Sequence, residues 1–299
     1  MTSPPRATKP DILELYGLAA MDPLVSSRVV DRECPFTKSR CVQLLQGSLN
    51  PTGVCVVSSG STKSPIVICD NRFYGDDHAT LRLAANDVFG TVPFILGGTY
   101  DDLKARLTKG SVVVAFGENS GGRVQVSGKG KVSFDWVLQQ YTGSRRGKFM
   151  AIEVETLQTT GSYRSALDGY RLHHSGKKAI IPPSAHGIDW AVIAKTILPD
   201  LIRKGLIVGG NPNCFGYQIV LPDAMLARID EMFEDVPDMG RHGQNVMSFR
   251  AYAADRSTSS GVRLTRSMNL LTRDVAAAFY GQVDSTAATK LDNVLKGLL

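Results

Sequence analysis

The sequence predicts an α/β fold: a mixed sheet flanked by helices, with a four-cysteine metal-binding segment embedded near its start. Three observations predict it. Short β-branched or alternating runs follow one another closely between residues 111 and 157. Helical patterns lie on both sides of them, and four of the five cysteines fall between positions 34 and 69. The 299 residues are enough for one large domain or two small ones.

The elements can be taken in order. Residues 1–30 read as an N-terminal lead, because the opening stretch is rich in proline and polar residues. That stretch has no apolar core behind its basic residues, so it is not a secretory signal, and a cytoplasmic location is expected. Residues 31–75 form the cysteine segment and look loop-rich. A helix is predicted over Asp76–Val88, with apolar positions at Ala79, Leu81, Leu83, Ala84 and Val88, and a second over Thr99–Leu107. Strands are predicted over Ser111–Phe116, Lys131–Gln140 and Phe149–Leu157. An amphipathic stretch, Ile188–Lys204, is interrupted at Pro199 and stopped by Gly205. A strand at Tyr217–Leu221 leads through Pro222 into a helix ending at Phe233. Further strands at Val246–Ala253 and Val262–Leu264 precede helices at Asp274–Tyr280 and Ala287–Leu298. Residues 76–235 make up the expected core, and 236–299 continue the same domain with candidate contact and dimer elements.

Composition excludes some classes. With 43% hydrophobic and 21% charged residues the chain is not disordered, and no apolar run is long enough to span a bilayer. Thirty-four basic residues against 28 acidic ones give +6, a modest excess compatible with a polyanionic partner.

The segment from Val132 to Glu155 carries the first candidate chemistry. Two strands flank the polar loop Thr142-Gly-Ser-Arg-Arg-Gly147, which predicts a hairpin. A turn centred on Ser144 places Asp135 across from Glu153. Alternation puts Glu153 and Glu155 on one face, and Met150, Ile152 and Val154 on the other. Like charges placed so closely repel one another. A magnesium or manganese ion would relieve that repulsion, activate water and stabilise charge on a phosphate. Solvated strand-face acids paired with lysines give the same pattern.

Cys34, Cys41, Cys55 and Cys69 carry the second. The intervening gaps of six, 13 and 13 residues are not those of an ordinary zinc finger. Four thiols in one short segment of a cytoplasmic chain still favour a tetrahedral metal site over four separate buried cysteines. Four protein ligands leave no open position, so the role is structural. Cys214 stands apart as a packed or loop thiol.

These two clusters resemble the NotI-like type II restriction endonucleases, a branch of the PD-(D/E)XK nuclease superfamily. The resemblance is carried by Phe134-Asp-Trp-Val-Leu-Gln-Gln-Tyr141, by Phe149-Met-Ala-Ile-Glu-Val-Glu-Thr156 with Thr160-Gly-Ser-Tyr-Arg164, and by Cys34-Pro-Phe36, Gly53-Val-Cys55 and Ile68-Cys-Asp-Asn-Arg-Phe73. It covers most of residues 31–235. It implies a PD-(D/E)XK core in which Asp135 and Glu153 hold magnesium or manganese, with Glu118 as an additional upstream acid. It also implies iron at the four cysteines, for which zinc is an equal fit. The partner implied is double-stranded DNA, read at a GC-rich palindrome by a homodimer, with a companion DNA methyltransferase encoded separately. Glu155 departs from the pattern, which has lysine or glutamine there. An ionised glutamate cannot donate a hydrogen bond, so it accepts one from water, binds a second cation or weakens activity. A non-catalytic DNA-binding protein of the same fold, or a nuclease acting on RNA or modified DNA, is the alternative.

Candidate DNA contacts are Arg145 and Arg146 at the hairpin tip, near the metal site, with Arg164 after the second strand. Arg241, Arg250, Arg256, Arg263 and Arg266 follow in the C-terminal part. Arginine forks suit guanine edges and phosphates, although each of these residues suits an ordinary solvated face equally well.

Overall fold

A computed structural model describes residues 11–44, 50–58, 64–98, 107, 110–117, 124–126, 131–184 and 186–281. The chain opens with β1 (Ile12–Leu15) and β2 (Leu18–Ala19), joined through left-handed Tyr16 and Gly17, and then α1 (Val25–Asp31). β3 (Val54–Ser58) and β4 (Pro65–Val67) pair antiparallel with them in the order β2-β1-β3-β4. One expectation changes here. The part of the 1–30 lead from Ile12 onward is packed, because Ile12, Leu15 and Tyr16 supply buried side chains to this small sheet. The described part of the cysteine segment is loop-rich, with β3 and β4 as its two strands.

A 3-10 turn, Asp70–Tyr74, leads into α2 (Gly75–Phe89). Asp76, Asp77 and His78 have left-handed backbone, so regular helix begins about three residues later than its sequence pattern suggests. β5 (Phe94–Leu96), β6 (Ser111–Gly117), β7 (Val124–Val126), β8 (Val132–Phe134), β9 (Trp136–Thr142) and β10 (Arg145–Val154) follow. β7 pairs antiparallel with β8. After β11 (Thr159–Thr160) come α3 (Arg164–His174) and β12 (Gly187–Ile188), which pairs with β11. A π-helical turn, Ile193–Ile197, runs into α4 (Leu198–Gly209). The chain closes with β13 (Cys214–Pro222), α5 (Asp223–Met232), β14 (Val246–Ala254), β15 (Val262–Leu271) and α6 (Thr272–Gly281). The helices predicted over Thr99–Leu107 and Ala287–Leu298 lie outside the described residues, apart from Leu107.

The central sheet has seven strands in the order β15-β14-β13-β10-β9-β6-β5, parallel at β14/β13, β13/β10 and β6/β5 and antiparallel elsewhere. It is mixed and covered on both faces, as the α/β expectation requires. One face presents Leu138, Met150, Ile152 and Val220 to Leu81, Ala84 and Ala85 of α2. The other presents Ala151, Ile219, Phe249 and Leu270 to Leu201 of α4, Ile229 of α5 and Val275 of α6.

Gly205 does not stop a helix. Pro199 sits in the first turn of α4, where its missing N–H costs nothing, and the helix continues to Gly209. A Cβ at Gly205 would lie 3.0 Å from Cγ2 of Thr272 and 3.3 Å from the Tyr217 ring, so the glycine lets α4 approach the sheet and α6. That continuation carries Lys204 toward the end of β10. Among the described residues no helix is long and apolar enough to cross a membrane.

Candidate functional site

The hairpin of β9 and β10 builds the centre of the site. Its turn is Gly143-Ser144, and Gly143 takes φ 57° at the first turn position, where a II′ turn needs glycine. The register shifts by one residue after Arg146, at Gly147–Lys148. Beyond it Phe149 faces Gln139 and Ile152 faces Trp136, the register that a turn centred on Ser144 predicts. Asp135 occupies a one-residue break between β8 and β9, just past the last of these pairs. Its Oδ2 accepts a hydrogen bond of 3.0 Å from the Val154 N–H, which ties the break to β10. Gly117 makes room for the break, since a Cβ there would stand 2.4 Å from the Asp135 carbonyl oxygen.

Asp135, Glu153 and Glu155 line one cavity of roughly 410 Å³. Lys204 enters it from α4, and Asp70 and Tyr74 come from the 3-10 turn after Cys69. Glu153 is only 2% exposed. Its Oε2 accepts 2.8 Å from Lys204 Nζ, which also lies 2.9 Å from Asp200 Oδ2. Its Oε1 is buried and has no hydrogen-bond partner among the described residues. An unpartnered carboxylate oxygen facing other acids is costly, and the acidities show it. Burial and then the charge of Asp135 push the Glu153 carboxyl up to about 8, against the opposing pull of Lys204. Burial and then Asp135 push Glu155 up to about 7, with Asp70 and Asp200 adding to the rise and Lys204 again opposing. Burial pulls the Lys204 ammonium down, but Glu153 and Asp200 outweigh it and hold it above its ordinary value.

Clustered carboxylate oxygens, one of them buried and orphaned, fit a hard divalent cation. The acids share the cavity without converging on one point: among the described residues no three His, Cys, Asp or Glu side chains form a ready-made ion site.

The four cysteines of the second cluster are buried free thiols. Arg32 and Ser39 carbonyls bind the Cys41 and Cys34 N–H groups, closing the turn that holds this pair. β3 and β4 place Cys55 and Cys69 side by side, with the Ile68 N–H donating 3.1 Å to the Cys55 carbonyl. A hydrogen bond from Cys69 is the main reason the Cys55 thiol is lowered, while the same contact raises Cys69. Cys41 is raised chiefly by burial, with Cys55 and Cys34 adding to it, so the four sulfurs share one neighbourhood. That donor set fits a soft tetrahedral ion such as iron or zinc. The surrounding motifs have structural reasons. Phe36 lies under the Arg72 guanidinium, 5.1 Å from ring centroid to Cζ, and Gly53 has φ +72° where a Cβ would strike the Tyr16 ring. Cys214 is a packed thiol at the start of β13, 3.3 Å from the Gly216 carbonyl.

The remaining candidates are dispersed. Glu118 lies outside the described residues. Arg145 and Arg146 are exposed, but they are not near the acids. They begin β10 whereas Glu153 is its next-to-last residue, and eight strand steps separate Arg145 from Glu153 by roughly 25 Å. Arg164 opens α3 and is exposed, as is Arg241. Arg250 is largely buried, 2.6 Å from Asp87, and also contacts Ser267 and His242. Arg256, Arg263 and Arg266 are exposed and paired with Glu14, Asp255 and Asp230.

Two residues of the cavity escape the sequence reading. Lys204 leaves a trace: it lies three residues after buried Leu201 and four before buried Val208, an ammonium on an apolar helix stripe. Asp70 leaves only its adjacency to Cys69. No protein-family model and no curated protein matches the chain.

Proposed function

We propose that the chain is a divalent-metal-dependent endonuclease, similar to the NotI-like restriction enzymes, that hydrolyses phosphodiesters of double-stranded DNA at a defined site. One observation carries the hydrolytic part: Asp135, Glu153 and Glu155 line a single cavity in which a buried Glu153 oxygen has no partner. The choice of DNA rests on the resemblance of the motifs and agrees with the basic excess. The mixed sheet with helices on both faces is compatible with a PD-(D/E)XK core.

In this reading Asp135 and Glu153 hold magnesium or manganese. When bound, that ion lowers the pKa of water and stabilises charge on the phosphate. Glu155 accepts a proton or hydrogen bond from the attacking water. Lys204 supplies the ammonium that β10 lacks at position 155, close enough to stabilise negative charge developing on the phosphate. Its presence in the cavity favours an active enzyme over a binding module disabled by Glu155. Cys34, Cys41, Cys55 and Cys69 hold structural iron or zinc. A palindromic site calls for a two-fold homodimer, and a separately encoded methyltransferase would protect the host genome in a cytoplasmic defence role.

Supercoiled plasmid incubated with the protein and magnesium tests the reading. Discrete fragments are expected, and Asp135→Ala abolishes them while leaving DNA binding largely intact. Plasmid that is shifted on a gel but never cut would make the chain a binding protein. Cutting by the Asp135→Ala variant would remove these acids from the chemistry.

A further inference from the structure

A second pocket lies at the other end of β10, around the hairpin tip. It measures roughly 610 Å³, and Arg145, Arg146 and Lys148 line it together with Gln139, Thr142 and Asn213. No carboxylate belongs to its described lining, and no described residue forms an ion pair with any of the three cations. Three like charges held this close repel one another, and an arriving anion relieves that repulsion.

The local backbone builds this cluster. Gly147 and Lys148 stand where β9 has one residue, Gln140, so the strand carries a bulge. A bulge bends its strand and re-aims the side chains beside it. Gln139 holds the bulge in place: its Nε2 donates 3.0 Å to the Gly147 carbonyl and 3.1 Å to that of Lys148. Lys148 Nζ rests 3.7 Å from the centroid of the Phe215 ring. That contact holds the ammonium without neutralising it, since the ring brings no net charge.

The donor set indicates the ligand. Arginine forks match pairs of phosphate oxygens, and lysine adds a point charge. All three cationic residues and Asn213 are exposed, which suits the backbone of an extended polyanion better than a small enclosed molecule. The tip is too far from Glu153 to reach a phosphate held by the acids. Their separation along β10 matches about seven base-pair steps of a duplex.

We propose that the tip pocket binds backbone phosphates of double-stranded DNA away from the bond that is cut, as an anchoring site separate from the acidic cavity. The choice of DNA rests on the nuclease reading; the phosphate chemistry rests on the tip itself.

The test is the salt dependence of binding to a mixed-sequence duplex of about 30 base pairs, read by fluorescence anisotropy on the full chain without magnesium, so that binding is separated from cutting. The combined variant Arg145→Gln, Arg146→Gln and Lys148→Gln should flatten the slope of log K against log salt by about two to three and weaken binding about 100-fold near 0.1 M salt. Arg145→Lys with Arg146→Lys keeps the charges and should keep the slope. An unchanged slope in the glutamine variant overturns the inference, as does a lysine variant as weak as the glutamine one. Inorganic phosphate at about 1 mM displacing the duplex from the wild type, at constant ionic strength, would make the pocket a free-phosphate site and overturn the DNA assignment. The nuclease reading fails separately. A flattened slope in the glutamine variant, with plasmid never cut by the wild type, upholds the tip site and sinks the nuclease; plasmid cut by the wild type, with the slope unchanged in the variant, does the reverse.

Discussion

Replacing Arg72 with methionine tests how the cysteine segment is anchored. The guanidinium is fully buried and the Glu14 side chain is 7% exposed, so neither group is stabilised by water. Methionine fills much of the same volume but leaves the Glu14 carboxylate without its main partner and the Gly261 carbonyl without its donor. Breaking a buried ion pair from one side costs about 3–5 kcal/mol. Arg256 offsets part of this, but it lies 3.6 Å away and is more than half exposed. The pH dependence has a definite sign. Burial already raises the Glu14 carboxyl, although Arg72 and then Arg256 pull it down. Without Arg72 it rises further. A carboxyl raised on folding favours the native state below its unfolded pKa and disfavours it as pH climbs through the folded value. The Arg72→Met penalty should therefore be smallest near pH 4.5, where Glu14 is protonated, and grow toward pH 8. Urea unfolding at several pH values measures it. The double change Glu14→Leu with Arg72→Met should recover most of the loss, since no charge is then stranded. A penalty below about 1 kcal/mol at pH 8, or one that shrinks as pH rises, would refute the reasoning.

Other expectations concern the cavity and its surroundings. Lys204→Met should lower plasmid cleavage about 100-fold with DNA affinity nearly unchanged, and Lys204→Arg should recover part of it; equal cleavage by all three proteins would remove Lys204 from the chemistry. Gly117→Ala should displace the Asp135 break, costing about 1–3 kcal/mol in urea unfolding and more than tenfold in cleavage. Arg145→Ala with Arg146→Ala should leave single-turnover cleavage by the saturated complex within about threefold, because the tip is remote, while the salt slope of DNA binding falls by about one per lost phosphate contact. Cys55→Ser should release the cysteine-bound metal, seen by elemental analysis, and expose residues 31–75 to limited proteolysis.

The site was legible where local pattern dictates structure. Alternation from Phe149 to Glu155 and a glycine-bearing turn were enough to set the β9/β10 register beyond Lys148, with Glu153 in β10, Glu155 just past its end and Asp135 in the break before β9. The register near the tip was not legible, because the irregularity at Gly147–Lys148 depends on pairing across the hairpin. β1 was missed because four residues, Ile12–Leu15, follow a polar lead, and besides the two-residue β2 their strand partner is β3, some forty positions later. Gly205 resembles a helix stop in sequence, yet its role is set by Thr272 and Tyr217, which only tertiary packing brings near. Arg250 illustrates the same limit. Nothing local distinguishes it from its exposed neighbours, but Asp87 lies 163 positions away and holds it.

The same limit bears on the departure at Glu155. A strand supplies chemistry only at alternate positions, so the sequence along β10 fixes which side chains share its face but says nothing of what arrives from elsewhere. With glutamate at 155, this end of the face carries two acids, Glu153 and Glu155, and a cation must come either from solution or from another element. α4 provides one because Gly205 lets the helix settle close to the sheet, and the residue before that glycine is then carried to Glu153. An ammonium held at 2.8 Å by one acid and 2.9 Å by Asp200 does not neutralise the other acids of the cavity. Burial first, and then the charge of Asp135, still raise the Glu155 carboxyl to about 7 against the pull of Lys204. In the proposed nuclease reading, the ammonium on α4 takes the place of the one absent at position 155, and Glu155 contributes an oxygen instead.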